Sequence, residues 1–249
     1  MKRAARRPSP SGAGRSMAGA RSVRLMRMAG DRKLSNANKQ SAHGATAELR
    51  QPVRIAGQPP RGHAMGPLFT LTTDFGTEDG YCGAMKGQLL GEFPDARIVD
   101  VSHAISPHGL WECAWCLRRA TPHFPSDTIH IAVVDPGVGS DRAPLLIRTD
   151  RHWFIGPDNG IFTWILHDHA AARIWRLATE TERWRAHRTF DGLELFTPAA
   201  IAVALGHPPT LYGTPTDDVV LLREPMCRLE GHHVFGEIVS FDRFGNAQT

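Results

Sequence analysis

Residues 128–142 read TIHIAVVDPGVGSDR. An apolar, β-branched run stops at Asp135. A Pro-Gly-x-Gly loop follows, and Arg142 closes it seven residues after the carboxylate. Such a run, bounded by Gly and Pro, predicts a buried strand. In open α/β sheets, ligands sit outside the carboxyl ends of the strands. A carboxylate there, beside glycines that let backbone approach a ligand and a permanently charged Arg, describes a site better than a core.

The flanking sequence alternates short β runs with helical stretches. Residues 68–73 (LFTLTT) predict a strand ending at Asp74, and Asp79 can cap a helix over 81–93 that Pro94 stops. Residues 96–103 predict a second strand with Asp100 near its end, and 109–124 a second helix. After the glycine loop, 145–149 and 153–156 suggest a hairpin-like return, and Pro157-Asp158-Asn159-Gly160 a turn. A short helix over 160–168, a strand over 173–178 and a helix over 196–206 complete the pattern. The order β-α-β-α-β argues an α/β fold, a mainly parallel sheet flanked by helices. Parallel strands bring Asp74, Asp100 and Asp135 to one edge.

Charge divides the chain. Residues 1–66 carry 14 Lys and Arg against Asp31 and Glu48, a net of +12, while the rest carries −8. The basic character belongs to a tail, so nucleic acid is set aside as a partner. That tail is rich in Arg, Ser, Ala, Gly and Pro, with no sustained apolar period. Its composition fits a disordered segment, an acid-poor targeting segment, or an over-called start with Met65 as the initiator. No run approaches the ~18 apolar residues of a membrane span. Residues 67–228 form the α/β domain by this reading, and 229–249 open a second, β-rich region. Cys113 and Cys116 make a C-x-x-C with no second pair, inside a helix, and read as buried thiols of a reduced, cytoplasmic protein.

Taken alone, Asp135 and Arg142 fit either a ligand site or a surface ion pair. Asp74 fits a site or a residue that bonds its own turn, and Asp100, Ser102 and His103 read as mainly structural. The 13 His are scattered, without a His-x-x-His or His-Glu-x-x-His spacing, so no metal site is expected. There is no G-x-S-x-G, P-loop or G-x-G-x-x-G. What remains is a small-molecule site whose carboxylates can receive hydroxyls such as a ribose diol.

Six ordered motifs together carry a resemblance: TTDFGTEDGYCGAMKG from Thr72, IVDVSHAISPHG from Ile98, HIAVVDPGVGSDR from His130, PDNG from Pro157, TFDG from Thr189 and FDRFGN from Phe241. They resemble the S-adenosyl-L-methionine hydrolases, or hydroxide adenosyltransferases, which share a superfamily with the fluorinating and chlorinating enzymes. The resemblance implies displacement of L-methionine from C5′ of S-adenosylmethionine by water or hydroxide, with no cofactor. It implies that Asp135 and Arg142 hold the water, that Asp74 binds the ribose hydroxyls, and that Phe190 packs on the nucleoside. It further implies Asn246 on adenine and Asp242 on the methionine part.

Two departures stand out. Where the family has Thr-Phe-His-Gly-Arg-Asp, this chain has TFDGLE, so the third water-holding residue is Asp191. The family also continues into a C-terminal β-barrel of roughly a further hundred residues, and its sites form between neighbouring subunits of a homotrimer. This chain reads as the start of a truncated barrel, which makes a catalytically impaired nucleoside-binding relative the alternative. A halide-using enzyme fits poorly, because a carboxylate at 135 repels halide. A metal-dependent phosphoesterase lacks a ligand set.

Overall fold

The structure, a computed structural model, describes residues 21–24, 66–178 and 190–248. A seven-stranded sheet forms its centre, built from β2 (Leu68–Thr73), β3 (Arg97–Ser102), β4 (Ile129–Val133), β5 (Pro144–Arg148), β6 (Trp153–Pro157), β7 (Arg173–Leu177) and β8 (Gly213–Pro215). The spatial order is β3-β2-β4-β6-β5-β7-β8. Strands β3, β2, β4 and β6 pair in parallel. β5 is antiparallel to β6 and β7, and β8 is antiparallel to β7. Five of the seven strands therefore share one direction, as the α/β reading expects.

β4 is buried along its whole length, and its period of two feeds two cores. Ile129, Ile131 and Val133 join Phe69, Leu71, Met85, Leu89, Phe196 and Ala200 on the face covered by α1 (Tyr81–Glu92) and α4 (Thr197–Ala204). Ala132 and Val134 join Cys113, Leu117, Leu145, Ile147, Phe154 and Ile165 on the face covered by α2 (Leu110–Ala120) and α3 (Thr163–Asp168). Burial on both faces is why β4 reads as a near-continuous apolar run.

Several boundaries differ from the sequence reading. Asp79 does not cap α1. Gly80 holds that position at φ 75° with no side-chain bond to the helix, a left-handed conformation that favours glycine. The second helix ends at Ala120 and tightens into a 3₁₀ turn over Thr121–His123, where Pro122 cannot continue the α-helical bonding. α3 starts only at Thr163, because Asn159 and Gly160 are used by the preceding turn. A π-helical turn over Gly192–Phe196 precedes α4.

Of residues 1–66, only Gly66 and the strand β1 (Arg21–Arg24) are described. β1 pairs antiparallel with β9 (Asp218–Leu221), a pairing the tail composition did not lead us to expect. The remaining tail readings, and Thr189 of the fifth motif, lie outside the described residues. Downstream, β10 (Cys227–Glu230) pairs with β11 (His233–Gly236), and β12 (Ser240–Phe241) with β13 (Ala247–Gln248), as two separate antiparallel hairpins.

One buried feature of β4 has a consequence for pH. His130 is fully buried, its Nδ1 2.7 Å from Thr70 Oγ1 and its ring stacked on Phe154 and edge-on to His152. Burial, with His152 beside it, pushes the His130 pKa down to about 3. Burial, with Arg151, pushes that of His152 down to about 4. Unfolded histidines titrate near 6.5. Above that pH neither state is charged and the pair is neutral to stability. As pH falls below about 6.5, the unfolded chain takes up protons the native state refuses, so stability drops. The drop ends near the folded values, about 3 and about 4. Each proton contributes a slope of about 1.4 kcal/mol per pH unit. Urea unfolding of His130→Gln between pH 7 and 4.5 is expected to show a slope shallower by nearly one proton. Parallel curves for the two proteins would contradict it.

Candidate active site

The end of β4 carries a network of polar side chains and backbone groups. Asn159 Nδ2 donates to the Val134 carbonyl at 2.8 Å, fixing the backbone immediately before Asp135. The glycine loop then folds on itself. Val138 N–H donates to the Asp135 carbonyl at 3.2 Å, and Ser140 Oγ donates to the Gly137 carbonyl at 2.6 Å. Gly139 takes φ 80°, which turns the chain back toward the sheet. The result aims Arg142 at Asp135.

Arg142 Nε donates to Asp135 Oδ1 at 3.0 Å and to Oδ2 at 2.8 Å, and Nη2 bonds Oδ2 as well. The Gly137 N–H adds a bond to Oδ1 at 3.2 Å. The same Nη2 also bonds Asp191 Oδ2. Side-chain exposures are 10% for Arg142, 4% for Asp135 and 12% for Asp191, so the network is largely out of water. The guanidinium lies 5.3 Å from the centre of the Phe196 ring. Two carboxylates share one guanidinium, and their formal charges sum to −1. Charge-assisted, forked contacts of this kind fix geometry as well as add energy.

Asp191 reaches the network through the π-helical turn, which it immediately precedes. π turns occur often at functional sites. Phe190, its neighbour, packs edge-on against Phe75 at 5.5 Å and Tyr81 at 4.9 Å. Phe75 follows Asp74, so the β2 and β4 ends meet through this aromatic cluster and Asp191. Asp74 is half-buried, and its Oδ2 accepts the His108 N–H at 3.0 Å. Asp135, Arg142 and Asp191 meet directly, Phe190 adjoins Asp191, and Asp74 follows β2, the strand paired with β4, while Asp100 is bonded to Lys86.

Asp242 and Asn246 are elsewhere. Asp242 accepts from Asn246 Nδ2 at 2.7 Å and from the Asn246 and Phe244 backbone N–H groups. Those bonds, led by the Asn246 side chain, hold its carboxyl below the usual range. Asp242 lines a cleft of about 450 Å³ with Ser102, Trp115 and Arg119, and no described contact joins it to Arg142. Among the described residues, no group of three or more His, Cys, Asp or Glu is disposed to hold a metal ion. Nor is any described helix long and apolar enough to cross a membrane.

Phe75 and Tyr81 are not expected from the sequence as partners of Phe190, and His103, which lies behind Thr73, reads there as mainly structural. His103 closes the predicted strand over 96–103 and lies directly after the observed end of β3 at Ser102.

Strand-end carboxylates, a glycine loop and an aromatic wall on an α/β sheet place a candidate small-molecule site where open-sheet α/β proteins bind their ligands. Residues 69–213 match the family model of the SAM hydroxide adenosyltransferase N-terminal domain. The chain is 38% identical over 195 residues to (R)-S-adenosyl-L-methionine hydrolase of Thermus thermophilus, covering 74% of each chain. It is 35% identical over 187 residues to the protein of that name from Methanocaldococcus jannaschii, covering 73% of this chain and 66% of that one. A solved structure of an uncharacterized conserved protein from Thermotoga maritima superposes with a TM-score of 0.65 at 29% identity, over 72% of this chain and 69% of that one. The chain belongs to the SAM hydroxide adenosyltransferase family, matched across that family's N-terminal domain.

Proposed function

We propose that this chain hydrolyses S-adenosyl-L-methionine to adenosine and L-methionine by attack of water at the ribose C5′. The observation that carries the reading is the buried Asp135–Arg142–Asp191 network, which lies where β4 ends, next to β2, the strand that leads into Asp74. A sulfonium is already a good leaving group. The protein therefore needs to place a water in line with the C5′–S bond, an entropic advantage of positioning. Water oxygen forms a bond to C5′, the C5′–S bond breaks, and its electron pair stays on the methionine sulfur. The surplus proton passes to a carboxylate of the network and on to solvent.

Asp135 and Asp191 both accept hydrogen bonds, so either can hold the attacking water. Arg142 between them offsets their like-charge repulsion and limits their movement. Asp74 takes the ribose hydroxyls and Phe190 the face of the nucleoside. The excess negative charge suits a cationic substrate and repels halide. S-adenosylmethionine enters as substrate, with no cofactor and no metal, because a sulfonium needs no Lewis acid to leave.

The two C-terminal hairpins we read as the opening strands of a β domain, with Asp242 and Asn246 serving a neighbouring subunit's site in a homotrimer. Leu229 and Val234 at 72% exposure, and Phe244 at 90%, support a protein partner over this region. The four unpaired thiols support a reducing, cytoplasmic setting.

The test is a single-turnover assay of the full chain for adenosine from S-adenosylmethionine, with and without EDTA. Adenosine at an EDTA-insensitive rate is expected. No adenosine above the buffer rate from folded protein would sink the reading, and nucleoside binding without turnover would favour an inactive relative.

A further inference from the structure

β2 ends at Thr73, one residue before Asp74, and the contacts around that end converge on one buried side chain, His103. Thr73 Oγ1 lies 2.8 Å from His103 Nδ1 and accepts the Phe75 N–H at 3.3 Å. The His103 carbonyl accepts the Gly76 N–H at 2.9 Å. Cys82 Sγ, at the start of α1, lies 3.1 Å from the same Nδ1. On the other edge of the ring, Nε2 is 3.1 Å from Asp100 Oδ1, off the line of a well-formed hydrogen bond. Asp100 Oδ2 in turn accepts from Lys86 Nζ at 2.6 Å.

These contacts fix a direction. Burial raises the Asp100 pKa, but Lys86 and His103 outweigh it and hold the carboxyl below its usual range. A carboxylate facing Nε2 draws the ring proton to that nitrogen and leaves Nδ1 as the acceptor. The Thr73 hydroxyl then donates to Nδ1 and keeps its lone pairs for the Phe75 N–H. The backbone at 75 is held through Thr73, and that at 76 directly, by the same residue. Asp74 sits between these anchors, its own Oδ2 already tied to the His108 N–H.

We propose that His103 is a positioning residue for substrate binding: oriented by the Lys86–Asp100 pair, it holds the Thr73–Gly76 turn so that the Asp74 carboxylate meets the ribose hydroxyls. The proposal rests on the reading of Asp74 as the ribose-binding carboxylate. His103 itself touches no substrate. Its effect is carried through the turn, where a displacement of about 1 Å costs up to 10²-fold.

The test compares binding of adenosine and 2′,3′-dideoxyadenosine by calorimetry. Wild type is expected to prefer adenosine by about tenfold or more, the worth of a hydrogen bond to a charged group. In His103→Ala that preference is expected to shrink to about twofold or less, with dideoxyadenosine binding unchanged. His103→Asn, which can still bond the Thr73 hydroxyl, is expected to recover part of it. Thr73→Val removes the same hydrogen bond from the other side and is expected to match His103→Ala, which keeps the test available if the latter fails to fold. Parallel weakening of both ligands, or a preference retained in the folded variants, would overturn the proposal as a case of packing alone. A wild type with no preference would overturn it differently, by removing the Asp74 reading beneath it.

Discussion

Arg142→Met is expected to abolish turnover and to destabilise the fold by about 3–5 kcal/mol, the cost of removing one partner from a buried ion pair. The reason is the stoichiometry of the network. Asp135 and Asp191 are 4% and 12% exposed at their side chains and share a single guanidinium. Methionine fills similar volume but leaves two carboxylates facing each other with neither water nor a cation. Some of the loss is therefore repulsion, and Asp191→Asn in the Arg142→Met background is expected to recover part of the stability. Urea unfolding of the four proteins in this cycle measures the coupling directly. A loss below about 1 kcal/mol, the range of exposed pairs, would mean that the network is open to solvent and not the rigid device described above.

Asp135→Asn is expected to leave the fold intact while lowering kcat by about 10²–10⁴-fold, the range for loss of a positioned proton acceptor. Asparagine matches the shape of the side chain, but its amide group brings donors to face the Arg142 donors. One oxygen remains for Nε, where the carboxylate offers Oδ1 and Oδ2 together. KM is expected to change little, because ribose recognition is assigned to Asp74 on a different strand. Asp191→Asn is expected to cost less, since Asp191 meets Arg142 through one carboxylate oxygen. Pre-steady-state measurement of adenosine release separates chemistry from binding in each variant. Equal kcat for wild type and Asp135→Asn would remove Asp135 from the reaction.

The part of this site legible in the sequence was the part set by local chain chemistry. A buried β-branched run, a carboxylate and a glycine loop are neighbours in sequence, so Asp135 and Arg142 could be paired from spacing alone. The convergence of Asp74 with Asp135 needed only the parallel direction of β2 and β4, which the intervening helices imply.

What escaped the reading depends on contacts made across the fold. Asp191, 49 residues beyond Arg142, was reached only through the family resemblance and not from spacing, because its approach is set by a π turn that residue pattern does not announce. Asp79 offered good capping chemistry, yet the chain enters α1 through a left-handed Gly80. The directions of β7 and β8 are also not written in alternation, which serves parallel and antiparallel strands equally. His103 looked structural because its role passes through Thr73 and the backbone, not through any charge it presents to the pocket.

The proposed reaction joins a water oxygen to C5′ and breaks the C5′–S bond. It is tested most directly by a single turnover of S-adenosylmethionine in ¹⁸O-enriched water, with both products read by mass spectrometry. One ¹⁸O atom is expected in the 5′-hydroxyl of adenosine and none in methionine. Adenosine without label, or no adenosine from the folded chain, would contradict it.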